Sequence, residues 1–307
     1  MTEPANHAAP AGRAPLDAAR LRAALLRPVG AWERVEVVGT SPSTNAALVA
    51  LARDPGWRAP AALVAEHQTA GRGRAGRGWE TPPGAALTVS ALLRPGVPPE
   101  ALGWLPLLGG LAVVRALRTD GVPAAVKWPN DVLLPAAEPV AGLGPWRKVA
   151  GLLAEVVPAG PGAGPAAVVL GVGLNVAQTP VELPVPTATS LALAGAAGER
   201  AARDRTRLLV AVLRELAAVV GRWVDDGGDP HATGADGGPS LAAQYAAASA
   251  TLGTPVRVEL AGTSAVLEGT ALRLADDGSL VVGVADAAGR LTEHVVAAGD
   301  VHHLRRG

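Results

Sequence analysis

Apolar and polar residues follow two periodicities along the first 250 residues, one typical of strands and one typical of helices. Apolar and charged residues alternate in 32–38, which predicts a strand. Helical spacing or a helix-start cluster before an apolar run predicts helices, whereas short apolar runs predict buried strands. The predicted helices are 16–26, 46–52, 102–117 and 205–223, and the predicted buried strands are 62–65, 87–93, 148–157 and 168–176.

The pattern changes from Thr254 onward, where short alternating segments follow one another closely. VRVEL, EGTALRL, DDGSLVV and EHVV predict short strands joined by tight turns, which is typical of a small barrel. We therefore predict three parts: a tail over 1–30 with a short helix, a catalytic domain over 31–251 and a barrel over 252–307. The stretches 135–147 and 227–239 are rich in Pro, Gly and Ala, and we expect surface loops there, the second of them mobile.

Length and composition narrow the class of protein. The 307 residues suggest about two domains, and 49% hydrophobic with 18% charged residues is typical of a globular protein. Lys plus Arg and Asp plus Glu are 27 each, and this neutral balance argues against binding to nucleic acid. Without cysteine there is no disulfide, thiolate metal site or cysteine nucleophile. No apolar run approaches 20 residues and the N-terminus lacks an apolar signal core, so we expect a cytoplasmic protein that does not span a membrane.

Lysine is rare in a way that draws attention to the positions where it remains. The chain has only two lysines, Lys127 and Lys148, and its other basic residues are arginine. In a chain that uses arginine so strongly, arginine is expected wherever a positive charge is all that is needed. Lysine is then expected to remain where the site requires a compact ammonium group. The retained lysines therefore suggest functional positions, although chance survival would also explain them.

The stretch 66–79, EHQTAGRGRAGRGW, combines four glycines with three arginines. Glycine lets backbone N–H groups converge on an anion, and guanidinium groups add paired donors for phosphate or carboxylate oxygens. The alternatives are a segment that binds single-stranded nucleic acid and a solvated basic loop. The stretch is short, lies between two predicted strands and belongs to a neutral protein, so we favour a site for an anionic small molecule.

Two further motifs contain the lysines. In KWPND, Pro129 ends a strand and presents Asn130 and Asp131 at a turn, where the Asp131 carboxylate could hold Mg²⁺; an Asx turn explains the pair equally well. Lys148 opens an apolar strand that runs through KVAGLLAE. An ammonium at a buried strand end needs an anion beside it, although a lysine reaching to the surface is the simpler alternative.

Two polar clusters complete the candidate site. GVGLN, which ends in Asn175, lacks the third glycine and the following helix of a dinucleotide fingerprint, and a close-packed strand with one polar side chain fits better. Ser43, Thr44 and Asn45 precede an apolar helix, where N-capping accounts for one of them and binding of a polar head group could account for the others. The paired histidines 302–303 have no metal-ligand spacing and are expected at the surface.

Together these motifs resemble the biotin protein ligases. STN, Gln with GRGRxGR and Trp, KWPND, KxAG with a downstream Glu, and GxGxN occur here in the family's order, followed by a small barrel. The resemblance covers about residues 32–306. It implies an α/β (α+β) fold, with a mixed-sheet catalytic domain related to class II aminoacyl-tRNA synthetases and an SH3-like C-terminal domain.

The resemblance also implies a reaction. The biotin carboxylate attacks the α-phosphate of ATP in the presence of Mg²⁺, which gives biotinyl-5′-AMP and pyrophosphate. A lysine of a biotin carboxyl carrier protein domain of an acyl-CoA carboxylase then attacks the mixed anhydride. Residues that match the family's catalytic positions are Lys148, Arg74, Arg72 and Asp131, the last as the Mg²⁺ ligand.

The binding residues are assigned by the same match. Positions expected at biotin are Ser43, Thr44, Asn45, Gln68, Arg72, Gly73, Arg74, Lys148 and Gly151. Positions expected at ATP are Arg74, Arg77, Trp79, Lys127, Asn130, Lys148 and Asn175. Lys148 would bridge the biotin carboxylate and the α-phosphate, and Arg74 would help to retain the acyl-adenylate.

Three departures from the family pattern stand out. The insert between Leu134 and Lys148 is longer than expected, Ala75 stands where the family often has arginine, and the short N-terminal segment leaves no room for a DNA-binding domain. We therefore expect a ligase without DNA-binding function, and the sequence does not set its oligomeric state. The main alternative is a lipoate or octanoate protein ligase, and a non-enzymatic Arg/Gly nucleic-acid binder is disfavoured by the scarcity of stacking aromatics.

Overall fold

The computed structural model describes residues 13–54, 56–159, 165–234, 237–262, 264–286 and 289–304. Six helices are found in this part of the chain: α1 Ala18–Leu25, α2 Thr44–Leu51, α3 Leu105–Thr119, α4 Gly195–Ala202, α5 Arg205–Asp225 and α6 Leu241–Ala248. Seven strands form the first sheet: β1 Arg34–Ser41, β2 Ala61–Gln68, β3 Ala86–Leu93, β4 Ala125–Lys127, β5 Asp131–Val140, β6 Gly144–Val157 and β7 Ala167–Asn175. Five more form the second: β8 Pro255–Leu260, β9 Val266–Leu274, β10 Leu280–Ala285, β11 Leu291–Val296 and β12 Gly299–His303.

The first sheet is mixed, with strand order β1-β2-β3-β7-β6-β5-β4. The β1–β2 pair is parallel and every other pair is antiparallel. Every residue of β3 is buried, because this strand lies near the centre of the sheet and is covered on both faces. The expected mixed α/β catalytic fold is therefore confirmed, and its central strand β3 has the mostly apolar sequence that burial on both faces requires.

The central helix α3 packs beside α5 and α6 over one face of the sheet. Its glycines, Gly109 and Gly110, lie against Leu152, Leu170 and Val126 of the sheet, so the helix approaches the strands closely. By length and composition alone, the segment Pro99–Thr119 is long and apolar enough to cross a membrane. Because 72% of its most apolar window is buried inside the protein, it has the burial of a core helix.

The predicted N-terminal helix is present and packs against the first sheet and α5. Leu21 and Leu25 of α1 are fully buried, and Asp17 caps the helix by accepting from Arg20 N at 2.9 Å. Arg205 of α5 connects this segment to the sheet, since its guanidinium contacts Ala14 O, Glu66 and Ala86 O at 2.7–3.2 Å. We call the first sheet with α2–α6, in the predicted catalytic domain, the catalytic body; residues 13–30 pack against it, and the predicted division at residue 30 stays a prediction. Residues 1–12 of the predicted tail lie outside the described residues.

The insert between Leu134 and Lys148, predicted as a surface loop, is a β-hairpin. Strands β5 and β6 extend through it to Val140 and Gly144 and pair in antiparallel register. The turn contains Gly142 and Gly144, both with positive φ, which glycine adopts without strain. The sequence pattern concealed the hairpin because Pro135 and Pro139 interrupt the alternation of apolar and polar residues.

The C-terminal strands form an antiparallel sheet in the order β11-β10-β9-β8-β12, as expected for a small barrel. Two buried indoles connect it to the catalytic body: Trp104 Nε1 donates to Asp276 O at 2.8 Å and Trp128 Nε1 donates to Gly278 O at 3.0 Å. Apolar residues of β8, β9 and β10 belong to the same hydrophobic cluster as α3 and α5. The predicted boundary near residue 252 falls between α6 and β8 and remains a prediction.

Of the two histidines expected at the surface, His302 has a 43% exposed side chain, whereas His303 lies where the barrel meets the catalytic body. The backbone N–H of His303 donates to Gly142 O at 2.9 Å, which joins β12 to the tip of the hairpin. The His303 ring lies 3.3 Å from Thr251 Oγ1, which accepts from the backbone N–H of Trp128. Burial lowers the pKa of His303 to about 4, and the charge of nearby Lys127 acts in the same direction.

The stretch 227–239, expected to be mobile, begins with a hydrogen-bonded turn. The backbone N–H of Gly228 donates to Trp223 O at 2.8 Å, and Trp223 Nε1 donates to Gly228 O at 2.7 Å. Residues 235–236 lie outside the described residues, so the expectation for that part is unaffected.

We predict that Gly103→Ala destabilises the joint between barrel and body. A Cβ atom at Gly103 would lie 2.2 Å from Asp277 O, so the turn between β9 and β10 would have to move. Thermal or urea unfolding should show a loss of about 2 kcal/mol in the free energy of unfolding. Gly221→Ala in α5 is the matched control, because its Cβ would meet nothing within 4 Å and should stabilise the helix by about 0.5–1 kcal/mol. Equal effects of the two substitutions would contradict the prediction.

We also predict that His303 makes folding stability depend on pH between about 4 and 6.5. The unfolded chain takes up a proton at His303 near pH 6.5, whereas the folded chain resists protonation until pH falls to about 4. Acidification therefore favours the unfolded state, by up to about 2 kcal/mol after allowance for partial exposure. Urea titrations of the wild type and His303→Gln across this range should diverge, with the wild type losing more stability. Parallel curves would show that His303 does not titrate in this way.

Candidate active site

Every residue predicted for the site lines one cavity of about 490 Å³. The cavity lies where the N-terminus of α2, the end of β2 and the middle of β6 and β7 meet. Segments far apart in the chain thus contribute to one surface. The predicted residues on its wall are Ser43, Thr44, Asn45, Gln68, Arg72, Gly73, Arg74, Arg77, Trp79, Lys127, Asn130, Asp131, Lys148, Gly151 and Asn175. Their individual roles remain predictions.

One end of the cavity is polar but uncharged, and we call it the head end; it comprises Ser43, Thr44, Asn45 and Gln68. Ser43 caps α2, because its hydroxyl accepts from Ala46 N at 3.3 Å. Gln68 ends β2, and its Oε1 accepts from Thr44 N at 2.8 Å and lies 3.0 Å from Thr44 Oγ1. All four side chains are buried, so their geometry is set before any ligand arrives.

The glycines of GVGLN leave space for side chains that lie flat on β7. A Cβ at Gly171 would lie 2.2 Å from Asn45 Oδ1, and a Cβ at Gly173 would lie 2.5 Å from Trp79 Cε2. A Cβ at Gly151 of β6 would likewise lie 3.1 Å from the Lys148 ammonium and from the Trp79 ring. The motif is therefore explained by close side-chain approach rather than by phosphate binding in a turn.

The opposite end of the cavity is charged, and we call it the charged end. It comprises three cationic side chains and one carboxylate, namely Lys127, Lys148, Arg74 and Asp131. Lys148 Nζ lies 2.6 Å from Asp131 Oδ1, and Lys127 Nζ lies 3.8 Å from Asp131 Oδ2. Lys148 also lies over the Trp79 ring, 5.6 Å from its centre, at the outer limit of a cation–π contact. The register of β5 and β6 brings this about, since Leu133 pairs with Lys148 and Asp131 with Gly151.

Burial makes two of these cationic groups easier to deprotonate. It lowers the pKa of Lys127, which is only 6% exposed, and the negative charge of Asp131 opposes this effect only in part. Burial also lowers the pKa of Arg74, against the opposing charges of Asp300 and Asp131. Both shifts have the same cause, because a cation removed from water is costly unless an anion lies beside it. A bound anion would therefore be attracted to this end of the cavity.

The Arg/Gly stretch forms a tight hairpin-like loop over the cavity. Gly73 N donates to Arg77 O at 2.7 Å and Trp79 N donates to Gly71 O at 2.9 Å. Ala75 at its tip has a φ of 53°, a left-handed conformation that is unusual for a residue with a Cβ atom. The predicted anion-binding arginines are thus carried on a closed turn rather than on an extended basic segment.

Two residues of this loop are held by polar partners across the cavity. Arg74 donates to Asn130 Oδ1 at 3.2 Å, and Asn130 in turn donates to Leu152 O at 2.7 Å. Arg77 makes a two-pronged ion pair with Asp300 of β12, at 2.9 and 3.0 Å. Burial alone would raise the pKa of Asp300, but the hydrogen bonds and charge of Arg77 outweigh it and lower the pKa.

Asn175 is placed at the cavity wall with its side-chain amide already engaged. Its Nδ2 donates to Thr189 O at 2.9 Å, and its Oδ1 accepts from Gln178 Nε2 at 2.8 Å. Lys148 is tied to the same segment, because its backbone N–H and C=O bond with Thr187 O and Thr189 N at 2.8 Å. The Asn175 side chain thus holds the segment 187–189 at the end of β7, and the Lys148 backbone holds it against β6.

Several wall residues were not predicted from the sequence. They come from the hairpin turn, the segment after β7 and strand β12, namely Ala141, Gly142, Leu143, Pro184, Val185, Thr187, Ala188, Asp300, Val301 and His302. None carries a motif, since their place in the site follows from the packing of the barrel and the hairpin. Ser90, a buried residue behind the head end, was also missed. A hydroxyl inside the apolar run 86–93 was the only available signal.

A second cavity of about 700 Å³ lies on the other side of the Arg/Gly loop. It shares Arg72, Arg74 and Asn130 with the first cavity and extends towards the start of α3 and the turn between β9 and β10. Glu155 and Asp277 are its acidic residues. The loop is thus flanked by open space on both sides.

Among the described residues, no group of three or more His, Asp or Glu side chains could hold a metal ion by itself. Asp131 offers one carboxylate, and its oxygens both face lysine ammonium groups. Mg²⁺ commonly binds to one or two carboxylates together with substrate phosphates and water. The residues therefore fit a magnesium ion that arrives with phosphate groups, and they do not form a complete site alone.

Comparison with known proteins agrees with this geometry. The family model described as "Biotin/lipoate A/B protein ligase family" matches residues 37–175. The biotin–[acetyl-CoA-carboxylase] ligase of Mycobacterium tuberculosis is 43% identical over 298 residues, which is 95% of this chain and 97% of the relative. The corresponding ligase of Paracoccus denitrificans is 40% identical over 141 residues, covering 45% of this chain and 52% of the relative.

A solved structure has the same fold. The biotin protein ligase of Aquifex aeolicus, in complex with biotin and ATP, superposes with a TM-score of 0.66 at 24% identity, over 89% of this chain and all of that protein. Identity to the mycobacterial ligase along almost the whole of both chains is the stronger finding, because it covers the catalytic body and the barrel together. The chain belongs to the biotin protein ligase family.

Proposed function

We propose that this protein activates biotin with ATP to form biotinyl-5′-AMP and transfers biotin to a lysine of a biotin carboxyl carrier protein domain. The observation that carries the proposal is the composition of the cavity, with a polar uncharged end and a cationic end. Such a cavity suits a ligand with a polar ring at one end and a carboxylate at the other, next to a polyphosphate. The name of the mycobacterial relative supports an acyl-CoA carboxylase as the source of the carrier domain.

The cationic end brings two anions together. A biotin carboxylate oxygen attacks the α-phosphorus, a P–O bond to the β-phosphate breaks, and pyrophosphate leaves with its electron pair. Because both reactants are negative, their repulsion has to be offset where the new bond forms. Lys148 is suited to this role, since its ammonium lies between Asp131 and Trp79 and can turn from the carboxylate to ligand oxygens.

The other cations and the carboxylate have supporting roles. Arg72, Arg74 and Arg77 are on a loop that faces the cavity, where guanidinium groups suit phosphate and carboxylate oxygens. Asp131 and the ATP phosphates would together hold Mg²⁺, which when bound neutralises charge on the leaving pyrophosphate. Buried Lys127 lies at the same carboxylate and adds positive charge beside the phosphates.

The second step needs the free amine of the carrier lysine. That amine attacks the acyl carbon of the mixed anhydride, the bond to the phosphate oxygen breaks, AMP leaves, and the amine loses its proton to solvent or base. The Arg/Gly loop lies over the cavity and Arg74 is anchored to Asn130, which supports a role in retaining the adenylate until the carrier arrives. This chemistry is proposed to take place in the cytoplasm.

The head end favours biotin over lipoate. Buried polar side chains that face the cavity there, Thr44 and Gln68, find no hydrogen-bond partner in an apolar dithiolane ring, whereas a cyclic urea offers both donors and an acceptor. The lipoate or octanoate alternative is therefore less favoured, and nucleic-acid binding is disfavoured by the neutral net charge.

The proposal is tested by release of pyrophosphate with ATP and Mg²⁺ in the presence of biotin, lipoate or no acid. We expect release that depends on biotin, since only biotin pairs with the polar head end. Release with lipoate alone would keep the mechanism and transfer the substrate to the alternative. A folded protein that releases pyrophosphate with neither acid would contradict the proposed function.

Lys148→Ala should leave the fold intact and reduce adenylate formation by about 10²- to 10³-fold, since the substitution removes charge stabilisation where charge develops. Arg147→Ala is the matched control, because Arg147 is the neighbouring cation on β6 and donates only to backbone oxygens of the hairpin. Its rate should stay close to that of the wild type. Near-normal adenylation by Lys148→Ala would remove Lys148 from the chemical step.

A further inference from the structure

A line of hydrogen-bonded side chains runs behind the head end, from Gln68 to Glu155. Thr44 Oγ1 lies 3.0 Å from Gln68 Oε1, and Ser90 Oγ lies 2.7 Å from Thr44 Oγ1 and 2.6 Å from Asn45 Oδ1. Asn45 Nδ2 then lies 2.8 Å from Glu155 Oε2. The line thus begins at residues that face the first cavity and ends at a carboxylate on the wall of the second.

The orientation of the Asn45 amide is determined by what surrounds it. Its Nδ2 has two neighbours, Leu153 O at 3.1 Å and the Glu155 carboxylate at 2.8 Å, and both can only accept. Turning the amide over would bring Oδ1 against two acceptors, one of them charged. Oδ1 must therefore face Ser90. Gly171 permits this arrangement, because any side chain there would occupy the position of Oδ1.

The remaining protons can then be counted. Three oxygen–oxygen contacts link Asn45, Ser90, Thr44 and Gln68, but only two hydroxyl protons are available to fill them. Asn45 Oδ1 requires the Ser90 proton at 2.6 Å, so the 2.7 Å contact between Ser90 and Thr44 requires the Thr44 proton. The longest contact, from Thr44 Oγ1 to Gln68 Oε1, is left without a proton. Gln68 Oε1 is still satisfied by the backbone N–H of Thr44 at 2.8 Å.

We propose that Glu155, acting through Asn45 and Ser90, is a positioning residue that makes the Thr44 hydroxyl an acceptor towards the ligand. All the protons in the line point away from the cavity and towards the carboxylate. Thr44 has no proton to offer to a ligand, so this wall of the head end selects a group that donates an N–H. The inference rests on the proposed function and deepens it, because a cyclic urea offers such a group and a ring with only oxygen or sulfur does not.

The measurement that tests this is the ratio of two dissociation constants. Titration calorimetry compares biotin with the two cyclic carbamate analogues in which a ring oxygen replaces one or the other ureido N–H. The wild type should bind one analogue about 10- to 100-fold more weakly than biotin, because its ring oxygen meets the Thr44 acceptor. The ratio is informative because a merely structural disturbance weakens biotin and the analogue alike.

Three variants change residues in the hydrogen-bonded line, and a fourth variant is the control. Ser90→Ala removes the acceptor behind Thr44, so the Thr44 proton can turn to the ring oxygen with only the longer contact to Gln68 Oε1 competing for it, and the ratio should fall to about 3-fold or less. Glu155→Leu leaves only Leu153 O to orient Asn45, so an intermediate ratio is expected. Glu155→Gln retains an acceptor oxygen for Asn45 Nδ2 and should restore the wild-type ratio. Thr88→Val is the matched control, since Thr88 is on the same strand and its hydroxyl donates to Ala65 O at 2.6 Å, outside the line.

A wild-type ratio in Ser90→Ala would overturn the proton count, and a wild-type ratio in Glu155→Leu would remove Glu155 as the positioning residue. A wild type that does not discriminate between biotin and either analogue would overturn the proposal at once. Because the readout is binding, biotin that binds without pyrophosphate release would contradict the proposed function alone. Absence of biotin binding by the wild type would overturn both.

Discussion

The repulsion between cations is the constraint on which the rest of the site depends. A cavity that binds two anions has to keep several positive groups close together before either anion arrives. Lys127 and Lys148 share the carboxylate of Asp131, and Arg77 is paired with Asp300. The register of β5 against β6 supplies the first counter-charge and the docking of β12 supplies the second. The hairpin, the barrel and the central sheet therefore all contribute to keeping the empty cavity stable.

The site also requires a flat cavity floor. Strands β6 and β7 present Gly151, Gly171 and Gly173 to the cavity, so Asn45 and Trp79 can lie against the backbone itself. Side chains at those positions would fill the floor of the cavity. The same arrangement lets the head end and the charged end lie on one continuous surface, with the Arg/Gly loop above it. The positions of Asn45 and Trp79 thus depend on the absence of side chains at these glycines as much as on the contacts that Asn45 and Trp79 make.

Much of the fold and most of the site could be predicted from the sequence, for identifiable reasons. Buried strands such as 87–93 are mostly apolar runs, and motifs such as KWPND and GRGRAGR place unusual residues at fixed points along the chain. What escaped prediction depends on tertiary packing. The hairpin over 135–147 is interrupted by prolines, His303 was assigned to the surface, and Asp300 has no motif around it. Their positions follow from where the barrel meets the catalytic body, and local sequence does not encode that contact.

The distribution of lysine has a consequence for selectivity. A mixed anhydride acylates any accessible primary amine, and most proteins have many lysines on their surface. Here both lysine side chains line the cavity in which the anhydride would form, and each lies beside Asp131. An activated acyl group that escapes would therefore meet no lysine on the outer surface of the enzyme that made it. The enzyme therefore offers few amines that its own acyl-adenylate could acylate. Reagents that label amines would likewise react with few groups on it.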